Sequence, residues 1–253
     1  MLHRFLLCLC LAVILPASAM AAEATIAVAA NFSSALVDLQ KDFEASSQHR
    51  LAIVGGATGK LAAQINAGAP FDVFLSADDK ATGKLTDGGQ AVAGSEFTYA
   101  IGTLALFSAD PQLIKDDGAA VLKAGNFARL AIANPKLAPY GRAAEMVMQA
   151  LGVADALRKK IVMGENIAQT FQMIDTRNAE LGFVALSQVL GSQSGAKGSY
   201  WTVPSTLHAP IRQNAVLLAR AKDNAAARAF IEFLRSPPAR AKIAAAGYAT
   251  SDD

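Results

Sequence analysis

The chain has 253 residues, 53% of them hydrophobic and 17% charged, and its 23 Lys and Arg against 21 Asp and Glu leave a net charge of +2. That balance speaks against a nucleic-acid or membrane-surface partner, since either is met by a clustered basic face. Both cysteines, Cys8 and Cys10, fall in the first ten residues, and beyond His3 the only histidines are His49 and His208, so neither a disulfide nor a zinc site is expected.

The N-terminus reads as a targeting segment. Met1-Leu2-His3-Arg4 is a short positive start, Phe5 to Leu15 is nearly unbroken apolar sequence, and Pro16-Ala17-Ser18-Ala19-Met20-Ala21 offers small-residue cleavage sites. This is a secretory signal peptide over 1–21, with a core too short for a span of roughly 20 apolar residues. Leu7 and Leu9 stand before the cysteines, where a lipoprotein would carry a small residue. The expectation is a freely soluble exported protein whose mature chain has no cysteine and whose remaining length of about 230 residues suits two lobes.

Short β-like runs then alternate with helical patterns, the signature of an α/β protein with largely parallel sheets. Thr25 to Ala29 is the first strand, and a helix carrying Leu36, Leu39 and Phe43 follows Asn31-Phe32. Leu51 to Val54 is the second, feeding the glycine-rich turn Gly55-Gly56-Ala57-Thr58-Gly59-Lys60 and a helix that Gly68 and Pro70 close. Asp72 to Leu75 is the third. Thr98 to Ser108 is a longer apolar run, taken as the passage from a first lobe (22–100 plus 212–253) to a second (101–211). There, strands are expected at Leu130–Ala133, Ile161–Met163 and Leu181–Ala185, with helices from Arg142 and after Asn166. Gly191 to Gly198 reads as a polar surface loop. Gln213 to Ala219 returns the chain to the first lobe, where two helices separated by Pro237-Pro238 end it.

Four strand-to-helix junctions stand out, two in each lobe: Ala30-Asn31-Phe32, Ala57-Thr58-Gly59, Pro139-Tyr140-Gly141 and Asn166-Ile167. Ligands of open α/β sheets bind outside the carboxyl ends of the strands, and each helix start brings unpaired N–H donors and about half a positive charge. A cleft closing on these junctions suits an anion held without a counter-charge. Asn31 and Thr58 can add side-chain donors, although both residue types also cap helices locally. Tyr140 is either a donor or a half-buried aromatic at a corner, and Ile167 has only its backbone N–H to offer. Lys60 reads as a solvated helix lysine, and Asp72, Asp78 and Asp79 as strand-end and capping acids.

Ala29-Ala30-Asn31-Phe32, Gly68 to Asp78 (Gly-Ala-Pro-Phe-Asp-Val-Phe-Leu-Ser-Ala-Asp), Pro139-Tyr140-Gly141 and Leu181-Gly182-Phe183-Val184 together resemble the periplasmic molybdate-binding proteins of ABC importers. The resemblance covers essentially the whole mature chain, and Gly68 to Asp78 is its most specific part. It implies a two-lobe α/β periplasmic-binding fold with a hinge, no catalytic role and no cofactor. The expected ligand is molybdate or tungstate, the expected partner is the membrane permease of an ABC importer, and the protein is expected to be a monomer. It also implies oxyanion contacts at Ala30, Asn31, Thr58, Tyr140 and Ile167, with molybdenum held only as molybdate. Two departures stand beside it. Many relatives carry serine where Asn31 stands and a serine-rich second loop, and some reach the oxyanion with a tyrosine from the strand that here ends at Ala185. Tyr140 can supply that hydroxyl from another wall, as in an Asn/Tyr subgroup of the family.

Other readings leave expected traces that are missing. The Gly59-Lys60 pair is not a phosphate loop, because Val54 holds the place of its first glycine and Leu61 that of its Ser or Thr. No Gly-x-Ser-x-Gly elbow supports a secreted hydrolase. A ferric site would want paired tyrosines, and Tyr99, Tyr140, Tyr200 and Tyr248 form no cluster along the sequence. Sulfate, thiosulfate and phosphate remain as alternative ligands of the same lobes.

Overall fold

In the computed structural model, residues 21–115 and 117–250 are described. All but the last residue of the expected signal segment therefore lies outside the described residues. Among the described residues, ten strands form two five-stranded sheets: β1 Glu23–Ala29, β2 Arg50–Gly56, β3 Val73–Leu75, β4 Phe97–Gly102, β5 Leu104–Ser108, β6 Leu130–Ala133, β7 Ile161–Gly164, β8 Leu181–Ala185, β9 Ser199–Thr202 and β10 Ile211–Leu217. The first sheet has the order β2-β1-β3-β10-β4 and the second β7-β6-β8-β5-β9. The two orders are the same pattern, with the first strand of each parallel trio at the middle of that trio.

Each sheet is half parallel. β1 pairs parallel with β2 and β3, and β6 with β7 and β8, but β10 and β5 enter antiparallel and bring β4 and β9 with them. The expected largely parallel sheets are thus corrected to mixed ones. The antiparallel strands are those next to the passages between sheets, where the chain arrives from the far side and has no crossover helix to turn it round. The run Thr98 to Ser108 is not one strand. It breaks at Thr103, so that Gly102 pairs with Ile211 in the first sheet and Leu104 with Ala185 in the second.

Helices cover both faces of each sheet, which is why the parallel strands read as unbroken apolar runs. Ile26 and Val28 of β1 face the cluster that includes Phe32, Leu36, Leu39, Phe43 and Phe230, while Ala27 between them faces Leu61, Ile65 and Phe74. β5 alternates in the same way: Leu104 and Leu106 lie in one cluster, Ala105 and Phe107 in another. The first of these includes Ala29 of β1 and Ala77 just after β3, so one core runs across the cleft.

Helix boundaries differ from expectation mainly at proline. The helix expected from Arg142 spans Pro139–Ala150, and the last spans Pro237–Ala245, each opening on its proline. Proline has no N–H to leave unpaired at a first helical position, and its φ is preset there. The stretch Gly191 to Gly198 is also more ordered than a surface loop. It contains the helix Gln193–Lys197, capped by Ser192 Oγ on Gly195 N–H at 2.9 Å, and leads into the edge strand β9.

Gly182 shows why glycine interrupts β8. A Cβ there would lie 2.4 Å from Ala131 O and 2.8 Å from Ile174 Cδ1. Gly182→Ala is expected to cost about 1–3 kcal/mol through forced strand and helix shifts, read as a lower urea midpoint with an unchanged slope.

Candidate oxyanion-binding site

The carboxyl ends of β1, β2, β3, β6 and β7 point at one another across the gap between the sheets. The residues that follow them line a single small cavity: Ala29, Ala30, Asn31, Gly56, Thr58, Ala77, Ala138, Pro139, Tyr140 and Ile167. All five residues expected at the site, Ala30, Asn31, Thr58, Tyr140 and Ile167, are in that wall. Its cavity volume is about 10 Å³, far below the ~300–1,000 Å³ of pockets for drug-sized ligands, so the closed wall has no room for a sugar or peptide.

Local hydrogen bonding determines which donors are left for a ligand. In the helix Ile167–Asp175, Asn166 Oδ1 accepts from Ala168 N–H and Gln169 N–H, both at 3.0 Å, so the Ile167 N–H at the first position has no capping acceptor. In the helix Pro139–Ala150, proline has no N–H and Gly141 N–H turns back to Ala138 O at 3.0 Å, which leaves Tyr140 N–H. In the helix Thr58–Asn66, Gly59 N–H crosses the cleft to Leu137 O at 2.9 Å, and Thr58 is free at the first position. The Thr58 hydroxyl oxygen accepts Ala77 N–H at 3.1 Å and keeps its proton to donate. Among the described residues, nothing accepts from Asn31 N–H.

Two members of the wall carry less than expected. Ala30 N–H is already bonded to Gly56 O at 2.9 Å. The Asn31 side-chain amide, expected as a donor to the ligand, gives its N–H groups to Gln213 Oε1 at 2.8 Å and Tyr248 OH at 3.2 Å. Asn31 is therefore tied back into the first lobe and offers its backbone N–H.

Those partners belong to a polar cluster that sequence reading missed. Tyr99 OH donates to Gln213 Oε1 at 3.1 Å, Gln213 Nε2 donates to Tyr140 OH at 3.3 Å, and Tyr248 OH donates to Asn31 O at 2.8 Å while accepting from Ser187 Oγ at 2.9 Å. Phe32 packs edge-on against both Tyr99 and Tyr248, with centroids 4.8 and 5.3 Å away. Three of the four tyrosines thus converge in space, a cluster that their positions along the sequence do not show. The residues are separated by up to 217 positions of sequence, and only Gln213, polar at the head of an apolar strand and fully buried, carries a signal. Burial pushes Tyr99 and Tyr140 well above the ordinary phenol value and Tyr248 up to about 12. Held protonated by burial, these phenols act as hydrogen-bond donors and acceptors within the cluster.

Among the described residues, no cation lines the cavity. Arg142, three residues after Pro139, is paired with Asp78, whose other oxygen caps its own helix at Ala81 N–H, 2.8 Å. Lys60, 58% exposed, lies 3.6 Å from Glu165 of the opposite lobe. Both pairs bridge the cleft outside the wall and are neutral in sum.

Two α/β lobes closed on a small cavity of neutral donors define an extracytoplasmic solute-binding protein of the two-lobe type. The family model "Bacterial extracellular solute-binding protein" matches residues 24–249. A molybdate-binding protein of Azotobacter vinelandii is 49% identical over 235 residues, 93% of each chain, and one of Rhodobacter capsulatus is 46% identical over 244 residues, 96% of this chain and 94% of that one. A solved structure, the Azotobacter vinelandii periplasmic molybdate-binding protein, superposes with a TM-score of 0.87 at 38% identity, over 90% of this chain and all of that one. The chain belongs to the bacterial extracellular solute-binding family, among its molybdate-binding proteins.

The buried phenols make a pH prediction. The unfolded chain loses the Tyr248 proton near the ordinary value of 10, the folded one near 12. The stabilisation is therefore complete below pH 10 and is lost between pH 10 and about 12. A gap of that size is worth roughly 3 kcal/mol. Denaturation curves should show this loss in the wild type and a shallower one in Tyr248→Phe.

Proposed function

We propose that this chain captures molybdate, or the isostructural tungstate, between its lobes and hands it to the membrane permease of an ABC importer. The lobes of this reading are 22–100 with 212–253, and 101–211. It works in the periplasm as a monomer, with no catalytic step, no resident cofactor and no nucleic-acid partner. The observation that carries the reading is the chemistry of the cavity wall. Neutral N–H and O–H donors from both lobes face one small space, and among the described residues no charged side chain lines it.

The donors proposed are the backbone N–H groups of Asn31, Thr58, Tyr140 and Ile167 and the hydroxyls of Thr58 and Tyr140, with Ala30 shaping the wall. Three of the four N–H groups stand at helix starts, where the partial positive charge of the peptide dipoles adds to the hydrogen bonds. A tetrahedral dianion is acceptor only, so every contact can be matched. Hydrogenphosphate brings a proton that needs an acceptor, and leaving it unmatched costs about 1–3 kcal/mol, or roughly 5- to 150-fold in affinity. Sulfate matches in charge and must be refused by size.

Titration calorimetry with molybdate, tungstate, sulfate and phosphate tests the reading. Molybdate and tungstate are expected to bind more tightly than phosphate by at least the factor above. Because no wall group titrates near neutrality, affinity should also stay flat from about pH 6 to 9. Thr58→Val removes a donor and leaves Ala77 N–H unpaired. It should weaken molybdate binding at least fivefold and cost about 1–3 kcal/mol of stability, which leaves a fold of ordinary stability intact. Equal affinity for phosphate, or unchanged affinity in Thr58→Val, contradicts the assignment.

A further inference from the structure

Gln213 is fully buried on β10, in the middle of the tyrosine cluster and outside the cavity wall. We propose that Gln213 sets the direction of the hydrogen bonds at the site, holding Tyr140 as a donor toward the bound anion, and that it thereby determines selectivity against protonated oxyanions. The proposal rests on the oxyanion reading above and extends it to a residue that does not touch the ligand.

The direction follows from a chain anchored at a backbone carbonyl, the one group that can only accept. Asn31 O lies 2.8 Å from Tyr248 OH, so the phenol proton is spent there. The Tyr248 oxygen must then accept from its other neighbours, Ser187 Oγ at 2.9 Å and the Asn31 amide at 3.2 Å. The amide therefore presents Nδ2 on that side, and the same Nδ2 lies 2.8 Å from Gln213. The Gln213 atom facing it must be Oε1, whose second lone pair takes Tyr99 OH at 3.1 Å. Nε2 is then the atom left to face Tyr140, and it donates to the phenol oxygen at 3.3 Å. Reversing Gln213 would set Nε2 against a donor. With Nε2–H aimed at its oxygen, Tyr140 turns its own proton away from Gln213 and into the cavity.

Gly102 makes room for this arrangement. A Cβ at that position would lie 2.2 Å from Tyr140 OH and 2.8 Å from Gln213 Nε2. The phenol and the amide meet where only a glycine backbone lets them, on the strand that precedes the passage between the lobes.

Molybdate and sulfate have no proton at neutral pH, whereas hydrogenphosphate has one. Removing Gln213 Nε2 frees the Tyr140 oxygen to accept that proton. The test is titration calorimetry of wild type, Gln213→Met, Tyr140→Phe and the double variant with molybdate, sulfate and phosphate at pH 7.5. Gln213→Met should narrow the preference for molybdate over phosphate about tenfold, the worth of one matched buried hydrogen bond. The preference over sulfate should hold, which a merely loosened cavity would not preserve. In the Tyr140→Phe background, adding Gln213→Met should change neither ratio. Should Gln213→Met not fold, Gln213→Glu keeps the shape, draws the Tyr140 proton to its carboxylate and should narrow the phosphate ratio alone. Both ratios moving together, neither moving, or an equal effect in the Tyr140→Phe background overturns this proposal. Wild-type protein that binds no oxyanion overturns the underlying reading instead.

Discussion

A buried N–H without an acceptor is costly, and this fold gathers several of them at one point. Helix starts leave N–H groups that the helix itself cannot satisfy, and most proteins dispose of them with capping side chains or water. Here the caps are placed selectively. Asn166 takes the second and third N–H of its helix and leaves Ile167, while Gly59 is satisfied by Leu137 across the cleft and leaves Thr58. In the proposed reading an anion in the cavity completes bonds that the protein alone leaves open, and the architecture around the cavity can be understood from that requirement.

The repeated sheet order supplies the convergence. In each trio the first strand lies between the second and third, so the chain reverses its direction of travel along the sheet beside that strand's carboxyl end, where open α/β sheets form their ligand crevice. Two such crevices facing each other put β1 and β6 nose to nose. The antiparallel strands β4, β5 and β10 tie the lobes together at Gly102, Thr103 and Ile211. The pairs Asp78–Arg142 and Lys60–Glu165 link the two lobes outside the wall. Their charges cancel, and the wall itself offers peptide dipoles in place of a cation. A site built this way recognises a ligand by the number and direction of its acceptors, not by net attraction.

Much of this was legible in the sequence, for reasons that particular residues show. Leu130–Ala133 and Leu181–Ala185 were placed to the residue because buried parallel strands are short apolar runs bounded by turn formers. The four strand-to-helix junctions could be located because glycine, proline and small polar residues mark them, and all lie at the cavity. Three things were hidden. The antiparallel entry of β5 and β10 depends on where the chain crosses, which local pattern does not encode. The prolines at 139 and 237 read as breakers, yet at a first helical position they are starters. The tyrosine cluster draws on positions 31, 99, 140, 187, 213 and 248, and no spacing rule joins them. Asn31 illustrates the difference: its identity pointed to the site, but only the fold shows its amide turned inward.

The most direct measurement is a crystal structure of the molybdate complex with the anion located by the anomalous signal of molybdenum. The account predicts one peak inside the cavity, with oxygens at hydrogen-bonding distance, about 2.7–3.2 Å, from the N–H groups of Asn31 and Ile167 and the hydroxyls of Thr58 and Tyr140. A peak beside Lys60 or Arg142, with either ion pair broken to hold the anion, would contradict it.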